Sequence, residues 1–137
     1  MKRLSDELTV SPQIPLEAIP AIADAGFKTI ICNRPDQEDP GQPSFDDIRA
    51  KAEECGLEAV FMPVVSGNVQ DADADTFADI LAKAAKPVFA YCRTGTRCTI
   101  LWSLANAGKL PTQEIVTAAA TAGYDMSGLV PRIEARR

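Results

Sequence analysis

A chain of 137 residues with 46% apolar and 24% charged side chains reads as one soluble globular domain over residues 1–137. Its net charge of −5 argues against a nucleic-acid partner, and no apolar run approaches a membrane span. Histidine is absent, which removes Ser-His-Asp and Cys-His catalysis, His-ligated zinc and every imidazole proton shuttle.

In chain order, Glu7-Leu8-Thr9-Val10 predicts a short strand closed by Ser11-Pro12. Leu16, Ile19, Ile22 and Ala23 recur at helical spacing and end at Gly26, with Pro20 expected to kink the helix or delay its start. Lys28–Cys32 predicts a second strand, followed by a polar loop from Asn33 to Pro43. Ser44 is a good N-cap, with Asp46 and Asp47 in the first turn and Phe45, Ile48, Ala52 and Cys55 as an apolar stripe. Glu58–Met62 is a third strand candidate, and Val64–Val69 a loop. Asp71 or Asp73 should cap a helix carrying Phe77, Ile80, Leu81 and Ala84. Val88–Tyr91 is a buried strand by length and composition. Further helices are expected from Arg97, from a Thr112 cap and from a Ser127 cap. Strands alternating with helices at this spacing predict an α/β fold, a mostly parallel central sheet with helices on both faces. Ligands in such folds bind beyond the carboxyl ends of the strands.

The stretch that carries chemistry is Tyr91-Cys92-Arg93-Thr94-Gly95-Thr96-Arg97-Cys98. A strand, a tight loop and a helix in succession aim backbone N–H groups and a helix N-terminus at one spot, forming an anion cradle. A thiol at the first loop position sits in that field, so the thiolate is favoured. Gly95 permits a positive φ, and Arg97 can add a bidentate guanidinium to a bound anion. Cys92 is therefore the candidate nucleophile and Arg97 its partner, with Arg93, Thr94, Gly95, Thr96 and Cys98 as anion-binding candidates. The alternatives are a buried structural thiol at Cys92, a loop cap at Arg97 and a rim charge at Arg93. Lys83, Lys86, Arg93 and Arg97 read as a local positive patch suited to a small anionic substrate. Four cysteines (Cys32, Cys55, Cys92, Cys98) with no secretory-type apolar segment after Met1-Lys2-Arg3 predict reduced thiols and a cytoplasmic setting. The spacing Asp71-Asp73-Asp75 lacks the glycine and glutamate of a calcium loop, and the pattern calls for no metal and no cofactor.

The run Tyr91–Arg97 resembles the active loop of single-domain rhodanese sulfurtransferases, Y-C-R-S-G-x-R. Thr29–Glu38, with its N-R-P-D-x-E run, and the P-V-V-S-G-N-V segment resemble the bacterial beta-lactamase-hydrolase-like, phosphatase-like domains. The likeness runs from about Leu4 to Ile133. It implies a dual-specificity protein-phosphatase-like fold, sulfurtransferase activity and a functional link to persulfide dioxygenases. Against the phosphatase pattern C-x5-R, this chain has C-x4-R, with Cys98 where the phosphatase arginine would stand and Tyr91 where a histidine precedes the cysteine. Ser66 and Gly67 occupy the expected position of the phosphatase acid. The resemblance further suggests that Arg34, Asp36 and Glu38 support the site, that Cys98 donates to or resolves an oxidised Cys92, and that Cys32 is a backdoor thiol. The plainer readings are a turn held by Asp36, a polar stand-in at Cys98 and a packed strand-end thiol at Cys32.

Three functions are compatible with these residues. The first is a sulfurtransferase moving sulfane sulfur through a Cys92 persulfide, from a small anionic sulfur donor to a thiol acceptor. The second is a phosphoester hydrolase working through a cysteinyl-phosphate, with Asp71 or Asp73 as acid. The third is a non-catalytic anion or persulfide sensor built on Cys92 and Cys98.

Overall fold

The computed structural model describes all 137 residues. Strands β1 (Lys2–Arg3), β2 (Leu8–Ser11), β3 (Thr29–Cys32), β4 (Glu58–Phe61) and β5 (Val88–Tyr91) form one sheet in the order β1-β2-β5-β3-β4. The last four are parallel; β1 runs antiparallel along β2 and was not anticipated from its two charged residues. Helices α1 (Ile19–Asp24), α2 (Phe45–Glu54), α3 (Asp71–Lys83), α4 (Thr96–Ala105), α5 (Thr112–Thr121) and α6 (Val130–Arg136) cover the two faces. None is long and apolar enough to cross a membrane.

Strand β5 lies at the centre, its Ala90 flanked by Val10 of β2 and Ile31 of β3. Because side chains alternate across a strand, Val88, Ala90 and then Cys92 point to the face covered by α3–α6, packing with Phe77, Leu101, Trp102 and Ile115. Phe89 and Tyr91 point the other way with Ile30 and Cys32, onto Ile19, Ile22, Phe45 and Ile48 of α1 and α2. That pleat places Cys32 and Cys92 in different cores.

Several local expectations are corrected. Pro20 does not kink α1 but does go with a delayed start: the pattern read from Leu16 opens as a 3-10 turn over Leu16–Ala18, and α1 begins only at Ile19, with Pro20 in its first turn, where its missing N–H has no helical partner to lose. The N-cap of α3 is Gln70, in a reciprocal pairing with Asp73, so neither Asp71 nor Asp73 is the cap. Pro111 precedes α5, making Thr112 its first helical residue, and Ser127 opens a 3-10 turn ahead of α6. Lys83 ends α3 and Lys86 precedes β5, at the far end of that strand from Cys92, so only Arg93 and Arg97 of the expected positive patch lie at the cradle.

Candidate active site

Strand β5 delivers Cys92 just beyond its carboxyl end, where Cys92 N–H still donates to Ser11 O at 3.3 Å. The chain then turns at Gly95, whose φ of 90° makes it a left-handed N-cap for α4. That conformation costs glycine little and any other residue a good deal. Its effect is to fold the loop's amides back over the sulfur: Gly95 N–H lies 3.1 Å from Cys92 Sγ. The amides of Thr94 and Cys98 and the Cys98 thiol bear on the same atom. The Cys98 thiol is the largest influence, and together these donors outweigh the burial penalty and bring the Cys92 pKa from 9.0 down to about 5. Cys98, fully buried in the first turn of α4, is pushed the opposite way by desolvation and stays a thiol. Cys92 is thus a thiolate at neutral pH. It shows 0% exposed surface, so a substrate touches the sulfur only when flanking side chains move.

Arg97 departs from expectation. It is buried at 5% exposure, and its fork is engaged by Glu38, Nη1 to Oε2 and Nη2 to Oε1 both at 2.8 Å. Nη1 also donates to Val64 O at 2.9 Å. An anion over Cys92 therefore meets the field of this guanidinium, whose bidentate face is already taken by protein.

Glu38 belongs to the loop after β3 and also accepts from Arg34 Nε at 2.8 Å. Arg97 first, and then Arg34, hold its carboxyl below the ordinary range against a desolvation cost. Arg34 is 1% exposed and spends its donors on Glu38, on Gln13 Oε1 at 3.0 Å and on Asp39 Oδ2 at 2.9 Å. Asp39, held low mainly by Arg34, also pairs with Arg93 Nε at 3.1 Å. Arg93 is exposed at the rim, as the alternative reading had it. A cleft of about 550 Å³ opens beside it, lined in part by Gln13, Glu17, Arg34, Gln42 and Arg93. Thr94 and Thr96 are exposed at the rim, their hydroxyls 3.0 Å apart.

The remaining candidates are placed elsewhere. Asp36 accepts from Phe45 N–H at 2.8 Å and so fastens the loop to the start of α2. Cys32 donates to Arg34 O at 3.3 Å and bonds with Tyr91, and burial raises its pKa, as for a packed strand-end thiol. Asp71 pairs with Arg132 and Arg136 of α6, and Arg136 also reaches Leu104 O near the far end of α4 from Cys92. Asp73 is spent on its capping pair. The two acids proposed for phosphoester hydrolysis are therefore engaged with α6 and with the start of α3. No group of acidic or thiol side chains has the arrangement of a metal site.

Sequence reasoning missed Tyr124, whose hydroxyl donates to Thr94 O at 3.0 Å across 30 residues of chain. It also missed Gln13, Asp39 and Val64 O, which hold the arginines.

A family model described as beta-lactamase hydrolase-like protein, phosphatase-like domain, matches residues 1–109. A beta-lactamase hydrolase-like protein of Agrobacterium fabrum is 34% identical over 97% of this chain, and the chain spans 34% of that relative's length. The crystal structure of a candidate phosphatase from Neisseria meningitidis Z2491 is 38% identical, with a TM-score of 0.88 and coverage of 99% of this chain and 97% of that one. The core catalytic domain of a PP-IP phosphatase from S. cerevisiae, solved with citrate, shares the fold alone: TM-score 0.73, 14% identity, and 98% and 83% of the two chains.

Proposed function

Because the chain belongs to the beta-lactamase hydrolase-like, phosphatase-like domain family, we propose that it is a cysteine-based enzyme whose Cys92 thiolate takes up an anionic substrate as a covalent adduct. The observation that carries this reading is the convergence of loop amides and the Cys98 thiol on one sulfur. Thr94, Gly95, Thr96 and Cys98 form the cradle, Arg97 supplies field, and Arg93 marks the entrance. Two adducts suit such a sulfur.

The comparisons favour phosphorus, since the solved relatives are described as phosphatases. In that reading Cys92 displaces an alkoxide or phenolate from a phosphoester and holds the phosphoryl group until water removes it. The leaving oxygen then needs a proton from a group still protonated at working pH.

The geometry of this particular site favours sulfur. Both carboxyls at its mouth, Glu38 and Asp39, are held ionised by arginine, and the α3 acids are engaged elsewhere. Sulfur transfer needs no such proton. Cys92 thiolate attacks the outer sulfur of thiosulfate, a new S–S bond forms, the old one breaks, and sulfite departs with the electron pair. An acceptor thiolate then attacks the outer persulfide sulfur, restoring the Cys92 thiolate and leaving as a persulfide.

Intact mass after incubation with thiosulfate separates the two. A gain of one sulfur that is absent in Cys92→Ser supports sulfur transfer. Turnover of phenyl phosphate, whose leaving group needs a proton, without sulfur gain reverses the choice in favour of the phosphatase.

A further inference from the structure

Tyr124 does something to the loop that neither adduct chemistry requires us to assume. The peptide unit joining Thr94 to Gly95 has a hydrogen bond at each end. Its carbonyl accepts from Tyr124 Oη at 3.0 Å, and its N–H donates to Cys92 Sγ at 3.1 Å. In a planar trans peptide these two groups point in opposite directions, so a donor fixed on the carbonyl side fixes where the N–H points. The tyrosine is itself fixed. Gly123, with a φ of 97°, ends α5 in a Schellman motif: Gly123 N–H bonds Ala120 O at 2.9 Å and Tyr124 N–H bonds Ala119 O at 2.8 Å. The ring then packs against the same core that holds Cys92, Cys98 and Leu101. At its other end the phenol occupies the space a side chain at position 95 would need; a Cβ on Gly95 would collide with Tyr124 Oη.

We propose that Tyr124 is a positioning residue for the nucleophile: by holding the Thr94 carbonyl, it keeps the 94–95 peptide turned so that its N–H stays on the Cys92 sulfur. A chain of fixed geometry runs from Gly123 through the phenol and one peptide plane to the sulfur. Without the hydroxyl, the carbonyl side of that peptide loses its side-chain anchor, and the glycine that follows leaves the peptide free to rotate. Desolvation and the nearby sulfur charges keep the phenol protonated, so it remains a donor over the range in which Cys92 ionises. The other ionisable groups facing Cys92 are Cys98 and Arg97 of α4, with Glu38 behind the guanidinium. All of them remain when the hydroxyl is removed.

The test is Tyr124→Phe, which keeps the ring and its packing. Thiolate ultraviolet absorbance is titrated as a difference against Cys92→Ser in the same background, so the other thiols cancel. The Cys92 midpoint should rise by about one pH unit while the melting temperature stays close to wild type. The amide resonance of Gly95 should move with it, reporting the lost bond directly. An unchanged midpoint in folded Tyr124→Phe overturns the proposal, whatever happens to stability. No substrate enters the measurement, so its outcome is independent of whether the adduct is sulfur, phosphorus or neither.

Discussion

The two loops that meet at the carboxyl edge of the sheet treat their arginines differently. In the 33–43 loop, Arg34 is buried with every donor group committed: Nε, Nη1 and Nη2 each meet an acceptor within 3.0 Å. In the cysteine loop, Arg97 gives its two terminal nitrogens to Glu38 and Val64 O, while Nε donates to no protein acceptor. One loop is a closed knot of charge; the other is built around a sulfur and keeps a donor in reserve. The difference teaches where each depends on the rest of the chain. The cradle's field comes mainly from residues within six positions of Cys92, whereas the knot ties together β2, β3 and α4.

Breaking the cradle at its centre should give the largest effect. Cys92→Ser should abolish adduct formation and cut turnover by about a thousandfold or more while leaving the fold intact, read by mass spectrometry and circular dichroism. Breaking the knot should instead cost stability. Arg34→Met removes the buried guanidinium that joins Gln13, Glu38 and Asp39, leaving Glu38 to Arg97 and Asp39 to Arg93, and chemical denaturation should show a loss of about 1–3 kcal/mol. Loss of activity in that variant without loss of stability would reverse the contrast between the loops.

Glu38→Gln tests the joint between them. It should lower stability by about 1–2 kcal/mol near neutral pH, since two charge-assisted pairs weaken. The pH dependence has a definite sign. Glu38 is depressed below its ordinary value of 4.5, so its contribution is fully present above that value and fades as pH falls through the lower, folded-state value. The gap between wild type and Glu38→Gln should therefore close in acid; a constant gap would remove the ion pairs as its cause.

The smallest change is the most local. Cys98→Ala deletes the strongest single donor to the thiolate and should raise the Cys92 midpoint above about 5, by about one pH unit, with Cys98→Ser retaining most of the effect. An unmoved midpoint in Cys98→Ala would leave the backbone amides alone responsible.

What was legible in the sequence follows the same division. The strand–loop–helix around Cys92 is contiguous, and its glycine, apolar run and helix pattern specify each other locally. The parallel sheet was legible too, because alternating strands and helices restrict how the chain can return. The orientation of Arg97 was not, because it depends on Glu38, 59 residues earlier, and on a carbonyl 33 residues earlier. Tyr124 escaped notice for the same reason: nothing near it in the chain marks the loop it touches. The cap of α3 was misplaced by one to three residues and that of α5 by one, because Gln70 and Pro111 start helices by routes other than a Ser, Thr or Asp cap. Departures from the phosphatase pattern at Cys98 and Ser66 were legible in the sequence, whereas the pairing of Asp71 with α6 and of Asp73 with Gln70 was not, because the first depends on residues 61 and more positions away.

The lack of exposed surface at Cys92 separates two properties that usually travel together in a reactive thiol. Ionisation makes the sulfur hungry, while enclosure decides who may feed it. Slender, anionic reagents should therefore modify Cys92 far faster than bulky aromatic disulfides of equal intrinsic reactivity, so the fold sorts its callers by girth before any chemistry begins.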